Sequence, residues 1–459
     1  MMQLAQLAQV LHGRLGGGDV HCTAVSTDTR NIRPGDLFIA LKGERFDGAQ
    51  FVAQAVQAGA VAAIVNEGSV PPGVSCPLLY VADTRIALGE LAAWWRRRFD
   101  LSLVAVTGSN GKTTVKEMLA AILRTHAGGE ERVLATRGNF NNDIGMPLTL
   151  LKLRAEHRYA VIEMGMNHAG EIDYLTRIAQ PDVALVNNAS GAHLQGLGSV
   201  EGVARAKGEI FAGLSAQGAA VINADDAHAA LWRTLAGMHL VYDFALTNPA
   251  TVKGDWQAQG YGGLLRAQTP AGELLVLLQV PGEHNARNAL AAATAALALQ
   301  VPLATIAQAL AAFGGVAGRL QRKPALHGAT LIDDTYNANP ASMRAALQVL
   351  AQAFGKRIFV LGDMGELGDD AAQFHRELGS TARALGIERL HALGELSALA
   401  VQAFGAGATH HADIETLQQT LKDELDAQTT VLVKGSRFMK MERVVQACAA
   451  SQEDTCCSH

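Results

Sequence analysis

Aromatic side chains are scarce in this chain, 5% of 459 residues, and prolines number only 12. Aliphatic residues therefore carry most of the 49% hydrophobic content, enough to fill the cores of the roughly three domains that such a length implies. Five cysteines occur, Cys22, Cys76, Cys448, Cys456 and Cys457. They lack metal-ligand spacing and the even count of a disulfide framework, and the last two sit in a polar tail. No apolar run approaches the ~20 residues that span a bilayer, and no charged-then-apolar leader opens the sequence. A reducing cytoplasm is the expected compartment. The net charge of −5 supplies no basic field for nucleic acid or an anionic membrane. Arg96-Arg97-Arg98 instead reads as cations closing a helix against its C-terminal dipole. No G-x-G-x-x-G follows the first strand of the last third of the chain, so no nicotinamide site is expected there. Repeats and low-complexity linkers are also missing, and a monomer is the default expectation.

Glycine, by contrast, is abundant at 47 residues, and two of them organise the chain. The stretch LVAVTGSNGKTT (103–114) is a β-branched apolar run, a glycine-containing turn and the start of a helix-forming segment. Gly108 and Gly111 allow the tight turn, and the N–H groups of Ser109, Asn110 and Gly111 can face phosphate oxygens at a helix N-terminus. Lys112 can reach the β- and γ-phosphates, and the Thr113 hydroxyl, following Thr107 at the strand end, can ligate Mg²⁺. The spacing is the shorter G-x-x-G-K-T, since Val106 stands where the general motif has its first glycine. An ATP site is the reading.

Three α/β units are expected, at 1–100, 101–318 and 319–459. In the first, Thr27, Asp28, Arg30, Lys42 and Gly43 would suit a ligand bearing phosphates and hydroxyls, although such polar loops are more often plain turns. In the second, apolar strands at 159–162 and 183–186 run into Glu163 and into Asn187-Asn188 followed by His193. Parallel sheets bind ligands beyond their carboxyl ends, so Thr113, Glu163 and His193 are expected on one crevice. Their oxygens suit Mg²⁺ and the imidazole a softer second position; a strand-end Glu is also often a helix cap. The amide-dense 136–145 segment, with Asn139 and Asn142, is either a turn or a loop over the phosphates. Lys207, beside Glu209, reads by itself as a surface lysine. Alternating residues at 255–280 around TPAG (269–272) predict an antiparallel extension. Asn285 and Asn288 open a long Ala/Leu helix, where they would meet a nucleobase or ribose, or where Asn285 would cap the helix. The third unit reads as doubly wound, with Asp334, Asn337, Asn339, Lys434 and Arg437 at its polar strand ends.

Taken together, TGSNGKTT (107–114), GNFNNDIG (138–145), IEMGMNHAGEID (162–173), AKGEIF (206–211), GEHNARNALAA (282–292), GRLQ (318–321), DDTYNANPASM (333–343), LGDMGELG (361–368) and VLVKGSR (431–437) resemble the Mur ligases of peptidoglycan synthesis. TDTR (27–30), ALKGERFDG (40–48) and NNASGAHLQGLGS (187–199) extend the likeness over nearly the whole chain. The short phosphate loop is the one this family uses. The resemblance implies a nucleotide-sugar domain, a central P-loop ATPase-like domain with a mostly parallel sheet and hairpin extension, and a Rossmann-like C-terminal domain. KGERFDG, AKGEIF and DDTYNANP with LGDMGELG further suggest the branch that adds D-alanyl-D-alanine to UDP-MurNAc-tripeptide, and the DNPR of the diaminopimelate-adding enzymes is missing.

The family carries several roles onto residues of this chain. Lys207 aligns with a lysine carbamylated by CO₂ that helps hold a second Mg²⁺, and Glu163 and His193 match metal-binding positions. Arg319 matches an arginine reaching the nucleotide phosphates, Asn285 and Asn288 match nucleotide contacts, and Asp334 falls where the ribose is met. Thr27, Asp28, Arg30, Lys42 and Gly43 match the UDP end, while Asn139 and Asn142 face the sugar–peptide. Asn337, Asn339, Lys434 and Arg437 would serve the entering dipeptide. Another amino-acid-adding Mur ligase, or an ATP-hydrolysing switch, would use much of the same site. KGERFDG and LGDMGELG argue against folylpolyglutamate synthetase.

Overall fold

The structure is a computed structural model that describes residues 2–43, 46–69, 71–191 and 194–450. Beside a two-stranded ribbon of Met2–Gln3 and His21–Cys22, three larger sheets follow one another along the chain. The first has five strands in the order Arg14–Gly16, Leu78–Val81, Ala62–Asn66, Leu37–Ile39, Val25–Ser26, parallel except at the Arg14–Gly16 edge.

The second sheet has nine strands, and Ser102–Thr107 lies third from one edge, flanked by Tyr159–Glu163 and Val183–Val186. Those three are entirely buried but for Ser102 and Tyr159, as parallel strands covered on both faces must be. Chain order reverses across Ser102–Thr107, because Val133–Ala135 and Tyr159–Glu163 lie on one side and the later strands on the other. The crevice beyond such a reversal is where open α/β sheets bind ligands. The predicted antiparallel extension is present: Val252–Gln259, Gly262–Thr269 and Gly272–Leu278 form a meander at the far edge.

The third sheet has six strands, parallel apart from an antiparallel edge strand, Gln321–Pro324, not foreseen from the sequence. Its apolar residues form clusters of their own. The first two units, in contrast, share one continuous core in which Leu4, Leu88 and Leu91 join Leu103 and Ile162. Helix Thr84–Arg96 connects them. Trp95 Nε1 donates to Leu153 O at 3.2 Å and Arg96 Nε to Ala179 O at 3.2 Å, so Arg96, in the last turn of its own helix as expected, also ties the units together. No helix among the described residues is long and apolar enough to cross a membrane.

Candidate active site

The phosphate-loop strand is followed by helix Lys112–Ala127, with Gly111 at its N-cap in a left-handed conformation, φ +79°. A Cβ at Gly111 would lie 2.6 Å from Asn187 Nδ2 and would also meet Asn288 Oδ1, so conformation and space both demand glycine there. The loop is shaped by amides. Asn187 Nδ2 donates to Asn110 O and to Asn288 Oδ1, each at 3.0 Å, and Asn110 N donates to Asn188 Oδ1 at 2.8 Å. Lys112 Nζ donates to Gly108 O at 2.6 Å. Burial, reinforced by Arg319 and opposed by Glu163, pushes its ammonium below the ordinary lysine range. Thr107 serves the strand end, its hydroxyl donating to Met164 O at 2.9 Å.

Around this loop lies a cavity of about 960 Å³ lined by all three units. At its centre Thr113 Oγ1 donates to Glu163 Oε2 at 2.9 Å and accepts from Arg319 Nη2 at 2.9 Å. Arg319 lies over the Tyr336 ring, 4.2 Å from its centroid. Asn141 Nδ2 donates to the other Glu163 oxygen at 2.7 Å. Asn141 went unnoticed between Asn139 and Asn142, which both line the cavity. Only its spacing from the Glu163 strand end in three dimensions singles it out.

A hydroxyl and a carboxylate are hard oxygen donors, and Mg²⁺ is commonly held by one or two carboxylates plus substrate phosphates. The pair Thr113–Glu163 fits that demand. Among the described residues no group of three or more His, Cys, Asp or Glu side chains is gathered to hold a metal ion. His193 lies outside the described residues.

Lys207 corrects the surface reading, for it is 1% exposed inside helix Val200–Gly208. Burial, with the like charge of Lys112 second, holds its ammonium well below the usual lysine range. Val203, one turn earlier on the same face, is buried with it.

Asn285 is also corrected in part. Gly282 caps helix Glu283–Ala298, and Asn285 is buried within it, its Nδ2 donating to Pro281 O at 2.8 Å and its Oδ1 accepting from Asn288 Nδ2 at 3.2 Å. His284, not anticipated, lines the cavity, and burial, then Lys434 and Arg287, lower its imidazole to about 4. From the third unit, Asp334 and Lys434 pair at 2.6 Å. Burial raises the Asp334 carboxyl while Lys434 opposes the shift. Lys434 also donates to Asn337 O at 2.9 Å, so its charge is committed to the cavity wall. Asn339 caps helix Pro340–Ala351 and its Nδ2 donates across to Asn110 Oδ1 at 2.7 Å. Arg437 lines the same wall.

The first unit contributes Arg85 to this cavity, paired with Asp143. Thr27, Asp28, Arg30, Lys42 and Gly43 are not on its lining. Asp28 accepts from Arg30 N at 3.0 Å and pairs with its guanidinium at 2.7 Å, an exposed turn on a separate part of the surface.

Comparison with known proteins shows the family. The Mur ligase family catalytic domain matches 21–96, the Mur ligase middle domain 106–296 and the Mur ligase glutamate ligase domain 318–437. UDP-N-acetylmuramoyl-tripeptide–D-alanyl-D-alanine ligase of Escherichia coli (strain K12) is 46% identical over 451 residues, 97% of each chain. A crystal structure of MurF from Acinetobacter baumannii superposes with a TM-score of 0.88 at 39% identity, covering 96% of this chain and 97% of that one. MurF ligase from Thermotoga maritima in complex with ADP gives 0.79 at 27% identity, covering 92% and 96%.

Proposed function

The chain belongs to the Mur ligase family, and from that premise we propose that it performs the reaction for which its relatives are named. It joins D-alanyl-D-alanine to UDP-MurNAc-tripeptide with ATP, giving the UDP-MurNAc-pentapeptide, ADP and phosphate for peptidoglycan synthesis. The observation that carries the residue assignment is the contact of Arg319 in the third unit with Thr113 of the phosphate loop, beside Glu163.

A carboxylate is a poor acylating agent. The tripeptide's terminal carboxylate therefore attacks the ATP γ-phosphorus, releasing ADP and forming an acyl phosphate. The dipeptide's free amine attacks that acyl carbon, and the tetrahedral intermediate expels phosphate as the amide forms. The first step brings two anions together, and Lys112 and Arg319 neutralise them. Mg²⁺, held by Thr113 and Glu163, would supply further charge neutralisation on the phosphates. The amide shell of Asn110, Asn187 and Asn188 holds the loop in its phosphate-binding shape without reorganisation during reaction. Asn285, Asn288 and Asp334 serve the nucleoside, Asn139 and Asn142 the sugar–peptide, and Asn337, Asn339, Lys434 and Arg437 the wall where the dipeptide enters. Thr27, Asp28, Arg30, Lys42 and Gly43 are assigned to the UDP end, away from the reacting atoms.

The buried, depressed amine of Lys207 supports a carbamate there, since only a neutral amine adds CO₂. The adduct then loses a proton and becomes an anion, fit for a second Mg²⁺ with His193. Three units walling one cavity exclude water from the acyl phosphate, which would otherwise hydrolyse. A reaction that consumes ATP and a nucleotide sugar is assigned to the cytoplasm.

The deciding test is ADP release from ATP with Mg²⁺ and UDP-MurNAc-tripeptide, with and without D-alanyl-D-alanine. Release that needs both substrates, with the pentapeptide seen by mass, is expected. Release with a different amino acid would move the substrate within the family, and release needing neither would leave an ATP-hydrolysing switch.

A further inference from the structure

Tyr261 stands at the turn between strands Val252–Gln259 and Gly262–Thr269 of the second unit, yet it packs against the apolar core of the third. Its hydroxyl donates to the carbonyl of Leu320 at 2.6 Å, a contact between residues 59 positions apart. The Arg322 guanidinium lies 5.5 Å from its ring centroid. Beside it a second cavity of about 350 Å³ separates the hairpin from Gly314 and Leu320, so this hydrogen bond is a discrete strut.

Leu320 follows Arg319 directly and has φ +49°, a left-handed conformation that is unusual for a leucine and persists only where surroundings enforce it. Two bonds enforce it here. Leu320 N donates to Asp334 Oδ1 at 3.2 Å, from the third unit's first parallel strand, and Leu320 O accepts from Tyr261 of the second unit. On the other side of Arg319 the connector has Gly315 at φ +96° and Gly318 at φ +70°, and it is tied by Arg319 N donating to Val316 O and Tyr336 N donating to Gly318 O, each at 3.1 Å. The direction of Arg319 toward Thr113 therefore depends on these ties, on the Tyr336 ring beneath its guanidinium and, on its C-terminal side, on how Leu320 is held.

We propose that Tyr261 is a positioning residue for the ligase reaction, its hydroxyl acting through Leu320 to aim Arg319 at the phosphoryl group under transfer. This rests on the function proposed above. The hairpin extension thereby gains a role that its distance from the nucleotide conceals: it senses the third unit's docked position and sets the arginine accordingly. Tyr261→Phe removes only the hydroxyl and keeps the ring against Arg322.

The test is steady-state kinetics on the full chain as wild type, Tyr261→Phe, Arg319→Lys and the double variant. Tyr261→Phe is expected to lower kcat about tenfold, the worth of one well-made hydrogen bond expressed in the transition state. KM for ATP and both other substrates should stay within about twofold, since ground-state binding is untouched. In the Arg319→Lys background the same change should cost less than about twofold, because the group it aims is already altered. A kcat near wild type, an effect confined to KM, or an equal loss in both backgrounds would overturn the proposal. If wild type makes no pentapeptide at all, the underlying functional reading fails first and takes this inference with it.

Discussion

A lysine 1% exposed, with Lys112 as its charged neighbour, is costly to bury as a cation. The carbamate proposed for Lys207 would relieve that cost and reverse the sign of its charge beside Lys112. Lys207→Ala is expected to lose activity on the order of 100-fold, as removal of a residue supporting a metal site does. Added short carboxylic acids should restore part of it by occupying the space of the lost anion; no rescue at any concentration would count against the carbamate. A second residue-scale prediction concerns His391, fully buried in the third sheet, its Nδ1 3.0 Å from His411 Nε2. Burial, with His411, Arg389 and Lys356 adding to it and Glu424 opposing, lowers its imidazole from 6.5 to about 4. The unfolded chain therefore takes up a proton near pH 6.5 that the folded chain refuses until about 4. Stability must fall as pH drops through that window, by up to about 3 kcal/mol. Urea midpoints measured from pH 7 to pH 4.5 should decline in wild type and decline less in His391→Leu. Equal slopes would remove His391 as the cause.

At the scale of the element, helix Pro340–Ala351 shows one side chain carrying two tasks. Asn339 closes a capping box with Ser342 and also donates to Asn110 on the phosphate loop. The tasks separate by substitution. Asn339→Ser keeps a good N-cap but is too short to reach Asn110. Its unfolding midpoint should match wild type while KM for ATP rises roughly three- to tenfold, the range of one lost hydrogen bond. Asn339→Ala should lose both, with about 1 kcal/mol of helix stability. If Asn339→Ser binds ATP as wild type does, the cross-unit bond contributes nothing to nucleotide binding. Segment 138–145 behaves likewise: Asn142 Oδ1 accepts from Gly145 N at 2.9 Å, shaping the backbone that carries Asn141 to Glu163.

For the whole molecule, the packing divides two ways and not three. Helix Thr84–Arg96 merges the cores of the first and second units, whereas the third has its own clusters and is tethered through a connector with Gly314, Gly315 and Gly318. Calorimetry of the unliganded chain should therefore resolve two transitions, with the first two units melting together. Three separable transitions would contradict the shared core. Nucleotide with substrate should raise and converge the two, since the cavity is walled by both bodies.

The strand–turn–helix at 102–127 was legible in the chain alone, because glycine placement, β-branched runs and the Lys-Thr pair are constraints between near neighbours. So were the meander at 252–278 and the parallel strands with polar ends at Glu163, Asn187 and Asp334, whose periodicity is local. The family resemblance singled out Lys207 and Arg319, which spacing alone did not. Tertiary structure decided what depends on distance across the chain. Arg319 meets Thr113 over 206 residues, Asn141 meets Glu163, and Lys207 is buried to 1% exposure. It also decided that Lys434 is spent on Asp334 and that Asn285 lies inside its helix, not at the cap. Burial and pairing are sums over contacts from remote segments, and no window of sequence contains them.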